Sequence, residues 1–149
     1  MDKNKRRGFD YIGVTVASLL HDGQGKFLLQ KRGPEARDEQ GSWDACAGAL
    51  EHGETIESAI RRELKEELCA EPLDIKFIGA GEAHRTHGGK PTHWVWLLHA
   101  VQVDPKSIKI GEPHKIAEVG WFSYDNLPSP LHSQIPPALQ LAHEQGIIK

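Results

Sequence analysis

Residues 48–70 read "GALEHGETIESAIRRELKEELCA", and this stretch decides the fold. Six glutamates fall within it, only partly offset by Arg61, Arg62 and Lys65. From Thr55 onward the apolar residues Ile56, Ile60, Leu64 and Leu68 recur at helical spacing, with Thr55 after Gly53 as the expected N-cap and Pro72 helping to end the helix. At 1.5 Å per residue that helix is roughly 20 Å long. At about 100° per residue, positions seven apart nearly coincide in direction. Glu63 follows Ile56 by that offset, Glu66 follows Ala59 and Glu67 follows Ile60, so a face that begins apolar ends in carboxylates.

A glutamate-rich helix is ordinarily a solvated surface laced with i,i+4 ion pairs. The heptad offset argues against that reading here. Three carboxylates that continue an apolar stripe point toward the protein body, where unpaired charge is costly. Arg62 can neutralise one of them. For several oxygen ligands on one helix face, a hard divalent cation such as Mg²⁺ is the natural partner.

Outward from the helix, "YIGVTVASLL" (11–20) is rich in β-branched residues and "HDGQGK" (21–26) carries turn glycines, so it forms a hairpin with "FLLQKR" (27–32). The polar, glycine-bounded "GPEARDEQGS" (33–42) reads as a loop, and "WDACA" (43–47) as a short strand. After the helix, "LDIKFIGAGEA" (73–83) and "THWVWLLHAVQV" (92–103) read as strands separated by an exposed loop, "HRTHGGKP" (84–91). "EVGWFS" (118–123) is a further strand, and "PPALQLAHEQ" (136–145) a C-terminal helix that starts on its prolines. Strands on both sides of one central helix, with a second helix at the end, predict an α/β mixed sheet covered by helices.

The 149 residues suit one domain, and 18 Lys+Arg against 21 Asp+Glu leave a formal net charge of −3. No basic footprint for stable nucleic-acid binding exists, although a small phosphorylated substrate remains compatible. Cys46 and Cys69 cannot build a disulfide framework and match no zinc spacing; free thiols in a reducing cytoplasm are expected. The N-terminal apolar run is broken by Asp10, Gly13 and Thr15, and nothing approaches a membrane span. The histidines, His84, His87 and His93 among them, read as loop or sheet-end residues, with His84 and His87 able to border a pocket.

The stretch resembles the signature of Nudix (MutT-type) hydrolases, in which Gly48, Glu54, Arg62, Glu63, Leu64, Glu66 and Glu67 stand at the family's spacing. Two positions depart: Cys69 replaces the late glycine, and Ala70 a bulky aliphatic residue. That glycine ends the helix at positive φ, which a cysteine adopts only at a cost. The resemblance implies a single α/β/α sandwich over residues 1–149 and Mg²⁺-dependent hydrolysis, with Mn²⁺ as an alternative ion, of a nucleoside diphosphate linked to another moiety. Carried over by position, it implies Glu63, Glu66, Glu67 and the Ala47 carbonyl as metal ligands. Glu54 and Arg62 would support them, and Gly48 would let the loop fold tightly on the helix. The proton acceptor would be Glu63 or a later loop carboxylate, for which Glu112 is the candidate with Glu118 behind it; a solvated loop glutamate is the alternative for each.

Arg32 and Arg37 could clamp phosphate oxygens, with a surface role as the alternative. The region 28–48 fits the extra motif of coenzyme A pyrophosphatases only in part, and "HRTHG" (84–88) supports neither the ADP-ribose nor the diadenosine polyphosphate branch. A nucleoside triphosphate or related nucleotide is therefore favoured, with Trp94, Trp96, Phe122 or Tyr124 as stacking candidates, although "WVWLL" (94–98) is more simply a half-buried strand. Two further readings stay open. One is a non-catalytic nucleotide sensor. The other resembles isopentenyl diphosphate isomerases, whose cysteine would fall on Ala47, one residue after Cys46. The partner is thus a small phosphorylated molecule, with a homodimer allowed.

Overall fold

A computed structural model of the chain describes residues 4–149. Its centre is strand β1 (Gly13–His21), which turns through the expected glycines into β2 (Phe27–Arg32). The two strands share only the pairs Leu20↔Leu28 and His21↔Phe27 before they diverge. Into the fork runs the segment predicted as one short strand. Its first part, β3 (Trp43–Asp44), pairs with β2, and its second, β4 (Cys46–Ala49), pairs with β1 from Ser18 to Thr15. The other edge of β1 runs parallel to β6 (Lys90–Gln102) over its whole length. Strand β5 (Asp74–His87) closes that side as the sheet edge, and β7 (Ile116–Phe122) pairs with the outer side of β2. The result is the mixed sheet that the alternating pattern implied.

Because strand side chains alternate, the sheet feeds two cores. Leu20, Leu28, Cys46 and Val101 pack against Ala59, Ile60, Leu64 and Leu68 of helix α1 (Ile56–Leu68). Leu19, Phe27, Leu29 and Leu98 pack against Ile135, Ala138, Leu139 and Ala142 of helix α2 (Ile135–Glu144). Each fully buried Leu or Ile contributes about 1.5–3 kcal/mol, and together they hold both helices on the sheet. Ile56 does not join its predicted row. It stands in the first turn with 38 % exposure, and Ala59 takes the buried position instead.

Both ends of α1 are capped. The Thr55 hydroxyl accepts the Ser58 N–H at 3.1 Å, the N-cap bond that the sequence predicts. At the other end Cys69 adopts the left-handed conformation (φ 56°, ψ 29°), and its N–H returns to the Lys65 carbonyl at 3.1 Å. The turn geometry of a helix-ending glycine is therefore kept without the glycine.

The expected loop 84–91 is instead the tip of a long hairpin. Register continues from Asp74↔Gln102 to His87↔Lys90, and the connection shrinks to Gly88 and Gly89, with φ of 57° and 78°. Two successive positive φ values suit a two-residue hairpin turn, and glycine supplies both without steric cost. His84, His87 and His93 consequently lie on strands rather than in a loop.

Left-handed backbone costs a side-chain-bearing residue about 1–2 kcal/mol, while glycine loosens the unfolded chain by about 0.4–1 kcal/mol. Cys69→Gly is therefore expected to raise stability by about 0.5–1 kcal/mol, read from the urea midpoint; a lower midpoint would show that the thiol compensates for the strain.

Candidate active site

Arg62 organises the acidic face of α1. Its Nε donates to Glu54 Oε2 at 2.7 Å and its Nη2 to Glu54 Oε1 at 2.9 Å, a bidentate pair that ties the loop after β4 to the helix. Its Nη1 donates to Glu63 Oε1 at 2.6 Å, and Nη2 also reaches the Ala49 carbonyl at 3.4 Å. Glu66 lies 3.7 Å away on the same side, with its side chain about half exposed at 52 %. The guanidinium holds the Glu54 carboxyl down to about 2, and Glu54 in turn raises the pKa of Arg62.

Glu63 lies over the backbone of β4. A Cβ built on Gly48 would sit 2.0 Å from Glu63 Oε1, so only glycine leaves room for this carboxylate. Burial raises the pKa of Glu63 despite Arg62, and the charges of Glu66 and Glu112 push the same way. Glu67, one heptad after Ile60, points into the core. Its Oε2 accepts from the Cys46 thiol at 2.8 Å and from Gln30 Nε2 at 3.4 Å. Burial pushes its pKa up to about 8, with Glu63 and Glu112 adding to the shift. Among the described residues, the Gln30 Oε1 beside it is buried without a hydrogen-bond partner. Burial, and then the neighbouring carboxylates, raise the Cys46 pKa well above the ordinary thiol value, keeping it protonated as the donor to Glu67.

Glu112 reaches this cluster through the backbone. Gly111 N–H donates to the Glu67 carbonyl at 2.8 Å and Lys109 N–H to that of Leu68 at 3.0 Å, so the 109–112 loop caps the end of α1. A Cβ on Gly111 would meet the Glu66 carbonyl at 2.4 Å, which explains the glycine there. Glu118, by contrast, lies on β7 with 57 % side-chain exposure and pairs with Lys31 at 3.9 Å.

The other face of β4 looks into a cavity of about 310 Å³. Ala47, Gly48 and Ala49 line it, while the Cys46 side chain and the Cβ direction of Gly48 face α1, as strand alternation requires. Trp94 and Trp96 form part of its wall, with Trp96 Nε1 3.3 Å from Gln134 Oε1. Phe122 and Tyr124 lie elsewhere: Phe122 packs edge-on against Trp43, and Tyr124 stacks on His143 at 4.0 Å. Arg37 is an exposed lining residue. Arg32 also lines the cavity, but its guanidinium is spent on Asp44 Oδ2 at 3.1 Å, Asp38 Oδ1 at 2.9 Å and the Asp38 carbonyl at 2.9 Å.

This wall contains residues that the sequence reading missed. Arg85 donates to Asp38 and, at 2.6 Å, to Glu39. Gln134 N–H donates to His132 Nδ1 at 3.2 Å, which leaves Nε2 to donate to Glu39 Oε2 at 2.9 Å. Asp44 has its pKa raised by burial, against the opposing pull of His132 and Arg32. Arg85 shares its strand face with Ala83 and His87, so alternation along β5 is the signal that could have found it. Asp38, Glu39 and His132 also bring one ligand atom each within 4.8 Å of one another. The α1 carboxylates have other partners, Glu63 in Arg62 and Glu67 in Cys46 and Gln30.

A sign follows for the metal-free protein. A carboxyl with a folded pKa of about 8 against an ordinary 4.5 keeps its proton in the native state across that interval while the unfolded chain releases it. The associated stability is fully present below pH 4.5 and is lost as pH rises toward 8. In chelator, Glu67→Gln is expected to gain on the order of 2 kcal/mol over wild type at pH 8 relative to pH 5. Urea midpoints at both pH values check this; parallel pH profiles would refute it.

Residues 12–142 match the family model of the NUDIX domain. The chain is similar to the 8-oxo-dGDP phosphatase NUDT18 of Mus musculus, 31 % identical over 125 residues that cover 80 % of this chain and 35 % of that protein. It is also similar to the NAD-capped RNA hydrolase NudC of Chromobacterium violaceum, 26 % identical over 133 residues, 89 % of this chain and 45 % of that protein. The chain thus spans between a third and a half of these curated relatives. Among solved structures, a MutT NUDIX hydrolase from Burkholderia pseudomallei superposes with a TM-score of 0.78 at 26 % identity, covering 88 % of this chain and 98 % of that one. With the glutamate helix, its arginine hub and the mixed sheet all in place, the chain belongs to the Nudix family.

Proposed function

We propose that the chain acts as a single hydrolase domain that cleaves the pyrophosphate bond of a nucleoside diphosphate linked to a further moiety, with a nucleoside triphosphate or related nucleotide as the favoured substrate. The observation that carries this reading is the position of β4: one face supports the carboxylates Glu63 and Glu67, and the other lines a cavity walled by Trp94 and Trp96. A polyphosphate chain at the β4 edge would meet the acidic cluster while its base lies in the cavity. The mouse relative, named for a nucleoside diphosphate, is consistent with this class.

The residues fit a divalent cation such as Mg²⁺ or Mn²⁺. Glu63, Glu66, Glu67 and Glu112 outnumber their cationic neighbours, and Gln30 Oε1 is an orphaned acceptor beside Glu67. Glu63, Glu66, Glu67 and the Ala47 carbonyl would hold the ion. Bound there, it would supply charge neutralisation and polarise phosphoryl oxygens. Arg62 orients Glu63, Cys46 and Gln30 orient Glu67, and Glu63 or Glu112 takes the proton from the attacking water. Arg37, exposed at the cavity, contacts phosphate oxygens; Arg32 acts by holding Asp38 and Asp44 in the wall.

The isomerase reading weakens on Cys46. That thiol is buried on the α1 side and bonded to Glu67, whereas Ala47 lines the cavity. The sensor reading is separated by assay. A panel of nucleoside di- and triphosphates, nucleotide sugars, dinucleotides and coenzyme A, run with Mg²⁺ or Mn²⁺, is expected to yield phosphate or pyrophosphate release. Glu67→Gln and Glu63→Gln should lower it by about a hundredfold or more while both proteins remain folded. Binding without turnover across the panel would favour the sensor, and equal activity in Glu67→Gln would remove the metal role.

A further inference from the structure

The β5–β6 hairpin has a second face that the proposed reaction does not use. Glu82 and His84 lie two residues apart on β5 and therefore project on the same side. His93 on β6 is the direct cross-strand partner of His84. Ala83, Arg85 and Trp94, the intervening residues, face the cavity, so the trio stands on the opposite side of the sheet. The two imidazole rings stack at 4.1 Å with an interplanar angle of 29°. Both rings bring Nε2 to the same carboxylate oxygen: His93 at 2.8 Å and His84 at 3.3 Å from Glu82 Oε1. One ligand atom from each residue lies within 4.8 Å of the other two.

From this arrangement we propose that Glu82, His84 and His93 form a transition-metal site that takes a zinc-class divalent cation, separate from the carboxylates of α1. Two imidazoles and one carboxylate make a nitrogen-rich donor set. Mg²⁺ and Ca²⁺ prefer oxygen ligands, whereas Zn²⁺ and its neighbours accept imidazole readily. Three protein ligands leave a position for water, and His84 and His93 also border a shallow second cavity beside Phe9, Asp10 and Tyr11. The side chains are free to close on an ion at about 2.1 Å, since Glu82 and His84 are 59 % and 65 % exposed and His93 34 %. The backbone beneath them is fixed by a ladder that keeps one register from Gly79↔Leu98 to His87↔Lys90, and the His93 N–H is anchored on the Gly8 carbonyl at 2.8 Å. A cation here joins β5 to β6 directly behind Arg85 and Trp94, stiffening the cavity wall from outside.

The second acidic-histidine group, Asp38, Glu39 and His132, differs in kind. Arg85, Ser133 and Arg32 already occupy its carboxylates, so a cation there would displace existing partners. Among the described residues, the ion-pair partners of Glu82 are the two histidines themselves.

The test is zinc binding to the untagged chain, by competition with a chromogenic chelator in excess Mg²⁺. One Zn²⁺ per chain is expected, weakened more than about tenfold by His84→Ala or His93→Ala and unchanged by Glu67→Gln or Glu39→Gln. Zinc should raise the Tm of wild type and leave that of His84→Ala unmoved. X-ray absorption of the wild-type zinc complex should report two imidazoles, a readout that requires no variant to fold. Retention of affinity in both histidine variants, loss in Glu67→Gln or Glu39→Gln, or an oxygen-only zinc environment would each overturn the proposal.

Discussion

The structure around the acidic face depends on one guanidinium. Arg62 binds Glu54 through two parallel hydrogen bonds, Glu63 through a third and the Ala49 carbonyl through a fourth, longer one. Those contacts join the helix, the loop before it and the end of β4. A lysine would carry the same charge but could not span three acceptors in fixed directions. The Glu54 carboxylate is stabilised in its charged form by this contact more than by any other, and Leu50 of the same loop packs against the core beside it. Gly48 then becomes intelligible as part of the same device: the arginine draws Glu63 toward the strand, and the strand has no side chain there to obstruct it.

Strand β4 carries that constraint through the sheet. Its alternation sends the Cys46 side chain and the open side of Gly48 to α1 and the Ala47 and Ala49 side chains to the cavity, where the Gly48 backbone is also exposed. The carboxylate cluster and the cavity are therefore separated by the thickness of a single backbone. Small residues on both sides make the strand thin between the carboxylates and the cavity. The parallel pairing with β6 fixes the position of β1, and β1 fixes β4, which is why the tryptophans of β6 and the glutamates of α1 keep a constant relation.

Much of this is legible in the sequence because it is local. The N-cap Thr55, the heptad from Ile60 to Glu67 and the proline start of α2 all depend on neighbours within a few turns. Cys69 is legible as an irregularity, and the backbone keeps its left-handed turn regardless, because the loop at 109–112 packs over that helix end. The hairpin at 84–91 is misread for a physical reason: glycine and proline signal a turn but do not say how short it is, and cross-strand pairing overrode the polar composition. Contacts such as Arg85 with Asp38, 47 residues away, or Cys46 with Glu67, 21 away, are invisible locally because only the sheet register brings them together.

The two faces of the sheet solve the same charge problem differently. On the cavity side Asp38, Glu39 and Asp44 are answered by Arg32, Arg85 and His132, each carboxylate having a cationic or hydrogen-bonding partner within the protein. On the helix side Glu54 already claims most of Arg62, and the remaining carboxylates share what is left of it, with Lys115 3.7 Å from Glu112. The consequence is visible in the direction of the shifts: Glu63 and Glu67 are both raised, and each is raised further by its acidic neighbours. A fold optimised for stability alone would place amides or apolar residues at 63 and 67, since a partly buried acid with a raised pKa costs stability wherever the unfolded chain would ionise it. Acids at these two positions therefore carry a stability cost that grows as the pH rises, a cost that a bound cation would offset.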